Sequence, residues 1–182
     1  MRGELKDSYR ANLTVAMDKS LLDQLKNEAK KSGHSINAKT NLILSKHLQF
    51  YRHVEEQRGF IVPAKVWKEI VNAVDEKKMV EILESAGTNT FLIVFEHNNV
   101  PVTMENLSKY LFETMSLWAG CYHRFSSFTD KEGYLNLVFE HDFGLKWSKA
   151  MGFVFADFIQ KALGLSTKLK PMSSTMTIKV KA

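Results

Sequence analysis

Two hydrophobic periods alternate along the chain. Asn12 to Met17 alternates with period two: Leu13, Val15 and Met17 fall on one side, and Asn12, Thr14 and Ala16 on the other, which predicts a short strand. The period then becomes helical. Leu21, Leu22, Leu25 and Ala29 share a face and predict a helix over about Lys19–Ser32, with Asp18 as N-cap and Gly33 as stop. Ser35 caps a second predicted helix, whose stripe of Ile36, Ile43, Leu44, His47 and Tyr51 carries it to about Gln57. Residues 1–11 are polar and mixed in charge and read as a mobile arm. Arg58-Gly59 is a break.

Beyond the break, Pro63 suits the first turn of a helix with Val66, Trp67, Ile70, Val71 and Val74 at i, i+3, i+4 spacing. A short helix is expected over about Glu76–Ser85, closed by Gly87. Thr90–His97 holds the continuous run Phe91-Leu92-Ile93-Val94-Phe95, which fits a buried strand and a buried helix equally. Thr103–Ala119 reads as a helix. Tyr122–Phe128 and Tyr134–His141 read as two strands joined by the turn Thr129–Gly133. Leu145–Leu163 is a strong helix with Trp147, Met151, Val154, Phe158 and Ala162 in register, and Thr175–Val180 a last strand with Met176, Ile178 and Val180 inward.

A lone six-residue strand at 12–17 cannot satisfy its own backbone or bury its apolar side. No nearby segment supplies a partner. The economical partner is the same strand of a second copy, paired antiparallel about a two-fold axis. Such a ribbon keeps one polar face free, of a width that fits the major groove of DNA. Residues 12–53, through Leu13-Thr14-Val15, Asp18, the helical leucines and Gly33-His34-Ser35, resemble the ribbon-helix-helix DNA-binding proteins of the Arc, MetJ and CopG type. The whole layout is similar to archaeal proteins that join such a head to a C-terminal α/β domain, in which a stretch like His141-Asp142-Phe143-Gly144-Leu145-Lys146-Trp147-Ser148 opens a helix. The resemblance implies a homodimer, and four copies gathered on DNA are compatible with it.

Charge agrees with the pattern. The chain carries a net +5, and residues 1–53 account for all of it, with ten Lys/Arg against five Asp/Glu, while the remainder balances. Concentrating the excess in one segment is the footprint of a phosphate-binding surface. In the resembling family the outward strand positions read bases, and here these are Asn12, Thr14 and Ala16. Asn pairs with adenine, Thr bonds or touches a thymine methyl, and Ala offers apolar contact only. Without Arg or Lys among them, specificity should be modest and lean to A/T. Arg10 lies close enough to the strand to reach phosphate. At the second helix, the free N–H groups of Ser35, Ile36 and Asn37 form a candidate phosphate clamp, and Lys39 adds charge one turn in.

The C-terminal part offers less chemistry. Val-Phe-Glu-His occurs at Val94–His97 and again at Val138–His141, and with Cys121, His123 and Asp142 gives a set of ligand-type side chains. Their spacing matches no metal motif, so neither metal nor cofactor is expected. His141 reads as a strand end and Asp142 as the cap of the following helix. Aromatic residues exceed what one helix face needs, since Phe153 and Phe155 flank the main stripe of the last helix. The surplus points to a second dimer interface, with a small-molecule pocket as the other reading. No nucleophile–base pair or phosphate loop marks an enzyme.

The N-terminus is polar, no apolar run reaches membrane length, and Cys121 is the single cysteine, so a cytosolic protein off the membrane is expected. The expected fold is α+β. A ribbon-helix-helix head spans 1–57, a helical connector 58–89, and an α+β domain with a small antiparallel sheet 90–182. The expected function is a homodimeric transcription regulator on double-stranded DNA, its C-terminal domain dimerising further and open to a small-molecule or protein partner. The alternative is an antitoxin-like protein whose C-terminal domain binds a protein.

Overall fold

The structure, a computed structural model, describes residues 11–56 and 58–181. The chain divides into two compact units, Met1–Ser45 and Lys46–Ala182.

In the first unit, α1 spans Lys19–Lys31 and α2 begins at Ile36 and ends at Lys46. The turn between them follows from Gly33. Its φ of 68° lies in the left-handed region. That lets Gly33 N donate to Lys30 O at 3.3 Å and His34 N to Ala29 O at 2.9 Å, the paired bonds that close a helix through a C′ glycine. Ser35 Oγ then accepts from Ala38 N at 3.1 Å and starts α2. Asp18 stands at the N-cap of α1, but its side chain makes no capping bond. Residues 11–18 form no strand, and the ribbon expected there is absent from the single chain. The physical reason is the one that makes a lone strand untenable: among the described residues, no strand of the same unit is present to complete its ladder. Leu13 is left 80% exposed and Val15 62%.

The second unit opens with a π-helical segment, His47–Tyr51, that passes directly into α3, Arg52–Glu56. α4 covers Ala64–Ala73 behind Pro63. α5 runs unbroken from Glu76 to His97, with Asp75 accepting from Lys77 N and Lys78 N at its start. The expected stop at Gly87 therefore does not occur, and the run at 91–95 is helix. Gly87 instead allows close packing: a Cβ there would lie 3.0 Å from Val154 Cγ1. Phe91 and Phe95 both pack on Phe158, and burying them outweighs the poor helix propensity of Gly87 and the threonines beside it. After α6, Met104–Asn106, a second π-helical segment covers Leu107–Ser116.

Four strands follow: β1 Arg124–Thr129, β2 Leu135–Glu140, β3 Ser166–Pro171 and β4 Thr175–Lys181. They form an antiparallel sheet in the order β1-β2-β4-β3. The sheet face carrying Leu137, Phe139, Met176, Ile178 and Val180 is buried, as the alternation at 175–180 predicts. β3 escaped the sequence pattern because it alternates lysine with few apolar residues and ends in proline, the composition of an edge strand. α7, Leu145–Leu163, is the centre of the unit, buried on most sides. It packs on α5 and on the sheet, close enough that a Cβ on Gly152 would meet Leu169 Cδ1 at 2.5 Å. Phe155 is buried and joins a ring cluster with Phe112, Tyr122, Phe125 and Phe139, while Phe153 and Ala162 face outward. The core thus absorbs most of the aromatic surplus. Lys146 Nζ donates to Asn72 O and Val74 O, neutralising the C-terminal carbonyls of α4.

Candidate functional site

Around the head, the structure places the sequence-derived residues as follows. Asn12, Thr14 and Ala16 are exposed in the segment before α1. Ser35, Ile36 and Asn37 are exposed at the start of α2, where Ser35 fills its capping role. Lys39 is withdrawn further than expected: Nζ lies 3.1 Å from Glu28 Oε2, and only 19% of its side chain is exposed. Arg10 lies outside the described residues. Among the described residues of this unit, only Leu25 and Ala29 are buried. Leu13, Val15, Met17, Leu21, Leu42 and Leu44 are all exposed, a larger apolar display than a self-sufficient unit leaves in water.

A second constellation, which sequence reasoning missed, lies in the C-terminal unit. His53 and Glu56 stand three residues apart on α3, and His97 is the last residue of α5. His53 Nδ1 and His97 Nδ1 are 2.5 Å apart. Glu56 Oε2 is 3.9 Å from the first nitrogen and 3.6 Å from the second. The ring centroids are 4.4 Å apart, further than the nitrogens, so the two Nδ1 corners turn toward each other. Glu56 Oε1 faces Arg52 Nε at 3.9 Å. His53 is buried, and its Nε2 has no hydrogen-bond partner, so the polar contacts of the ring are all at Nδ1. Burial foremost, then the neighbouring His97 and Arg52, hold the His53 imidazole below its ordinary pKa, with Glu56 opposing. The His-x-x-Glu spacing at 53–56 was a sequence signal, since i and i+3 share a helix face. His97 could be joined to it only through the packing of the fold.

Of the ligand-type residues noted from the sequence, His97 joins this constellation, and the others form no such group among the described residues. His141 is buried at the end of β2 and is held inside the protein. Phe143 N donates to its Nδ1 at 3.2 Å, and its Nε2 lies 2.6 Å from Ser148 Oγ. Ser148 Oγ in turn donates to Met172 O at 2.5 Å. This serine–histidine pair resembles a nucleophile and its base, yet Ser148 is fully buried and its proton is committed to a carbonyl. It is a structural tie between β2, α7 and the β3–β4 turn. Asp142 does not cap α7. Gly144 occupies the N-cap with a φ of 91°, a conformation that suits glycine, and no side chain caps the helix. Cys121 is largely shielded, and burial pushes its thiol up to about 12.

No protein-family model, curated protein or solved structure matches the chain. Among the described residues, no helix is long and apolar enough to cross a membrane.

Proposed function

We propose that the chain is a homodimeric DNA-binding regulator of the ribbon-helix-helix type. The observation that carries this reading is the incomplete first unit. Its alternating segment 12–17 has no partner strand, and the apolar sides of that segment and of both helices stand open. A second copy would supply the missing strand and cover those side chains, and the segment holding the chain's entire charge excess would then be doubled. Asn12, Thr14 and Ala16 would form the outward face of the ribbon. The N-termini of the two α2 helices would hold phosphates through Ser35, Ile36 and Asn37, with Arg10 adding charge. Lys39, paired with Glu28, contributes through the field of the head more than through direct contact. The antitoxin reading has less support, because the C-terminal unit has an extensive core of its own.

Binding of the purified chain to random and A/T-rich duplexes at two salt concentrations tests the proposal. Affinity should fall steeply with salt, as counterion release requires. The double variant Asn12→Ala/Thr14→Ala should bind with similar strength but lose preference between the duplexes. Absence of binding at low salt would overturn the reading.

A further inference from the structure

We propose that His53, Glu56 and His97 form a binding site for a divalent transition-metal ion of the zinc type. The argument starts from three Lewis bases aimed at one place. A single proton can lie between the two Nδ1 atoms, but it serves only that pair. Glu56 Oε2 then brings negative charge to the same point with no proton to meet it. A cation in the middle serves all three.

The geometry has the right size. A triangle with sides of 2.5, 3.6 and 3.9 Å has a circumradius of about 2.0 Å, so one point lies a zinc–nitrogen bond length from every donor. The triangle is acute, which puts that point between the donors. Its short edge would open toward about 3.3 Å, the donor separation of a tetrahedral ion with bonds of this length. That movement is within reach, because Glu56 is exposed and the His97 side chain is one-third exposed.

The chemistry of the set selects the ion. Two imidazole nitrogens and one carboxylate suit zinc, nickel or cobalt, whereas calcium and magnesium prefer oxygen throughout. Three protein donors leave at least one position for water or an external ligand. Arg52 Nε lies 3.9 Å from the other carboxylate oxygen, Oε1, and so does not compete for Oε2. A π-helical segment, His47–Tyr51, lies just upstream, and Phe50 within it is buried as His53 is. Insertions of this kind recur where a helix serves a site.

The test is metal binding by the untagged full chain after removal of metal with a chelator. Zinc is titrated in competition with a chromophoric chelator, and cobalt is followed by its visible absorption. One ion should bind per chain, with cobalt bands showing nitrogen–oxygen coordination, and zinc should raise the melting temperature. His97→Ala and Glu56→Gln alter exposed positions and should fold as wild type does. Each should lower zinc affinity by about tenfold or more and abolish the thermal shift. Lack of zinc and cobalt binding by the wild-type chain, or equal binding by folded His97→Ala, would overturn the site. DNA enters neither readout, so this outcome is independent of the DNA-binding proposal.

Discussion

Ser148 shows how much a single hydroxyl can hold together. It accepts from the His141 ring and donates to Met172 O while fully buried on α7. The amide of Phe143 points at Nδ1 of the same ring, so the hydrogen-bond network assigns the ring proton to Nε2. Removing the hydroxyl leaves the buried His141 N–H without its partner and takes one donor from the part-buried Met172 carbonyl. Ser148→Ala should therefore cost about 1–3 kcal/mol, read from urea unfolding, and an unchanged midpoint would mean the tie contributes nothing. The neutral ring also carries a pH dependence. Burial holds the His141 pKa below its ordinary value, against the pull of Asp142. A group depressed on folding favours the native state at pH values where the ring is neutral in both states. That contribution is present above pH 6.5, the reference value, and is lost as pH falls toward the folded pKa. At Cys121 the raised pKa keeps the thiol protonated at neutral pH, so it is a poor nucleophile.

Among the elements, the β1–β2 hairpin shows why a turn needs more than turn residues. Asp130 Oδ1 accepts from Glu132 N and Tyr134 N, while Oδ2 accepts from Asn136 Nδ2 and from Lys179 Nζ on β4. One carboxylate thus shapes the turn and ties it to the neighbouring strand. The Lys179 hydrogen bond above all, and then that of Asn136, holds its pKa well below the usual carboxylate range. A depressed carboxylate contributes stability above its unfolded pKa, and that contribution is lost as pH falls through the folded value. Asp130→Asn should therefore lower the urea midpoint at pH 7 and narrow the gap between the pH 7 and pH 3 midpoints. A gap as wide as that of wild type would assign the acid sensitivity elsewhere. The α1–α2 turn and α7 were legible in the sequence because the signals are local: Gly33, Ser35 and an apolar stripe of helical period. α5 and β3 were not. Gly87 reads as a stop until Val154 is seen against it, and β3 carries lysines because it is an edge.

For the whole molecule, the governing fact is the contrast between the two units. The C-terminal unit buries its helices and one sheet face around α7. Among its described residues, the N-terminal unit buries Leu25 and Ala29 and exposes its apolar stripe. A chain built in this way should pair through the N-terminal unit. Light scattering should give twice the 20.8 kDa chain mass. Val15→Glu places a charge in the proposed ribbon core and should return the mass to that of one chain while leaving the spectrum of the C-terminal unit intact. A monomeric wild-type chain at tens of micromolar would argue against any dimeric head.

The sequence by itself determined the elements whose causes lie within a few residues: the Ser35 cap, the left-handed glycine between the first two helices, the hairpin and the period of α7. It also located the charge excess, which depends on composition alone. The tertiary structure decided what depends on distant partners. The 91–95 run became helix because Phe158 and Val154 wait on α7. His141 became a buried tie because Ser148 faces it. His53, Glu56 and His97 met because α3 and the end of α5 are brought together across 44 residues of chain. Period and spacing report a residue's neighbours on its own element, and contacts between elements arise only when the core closes.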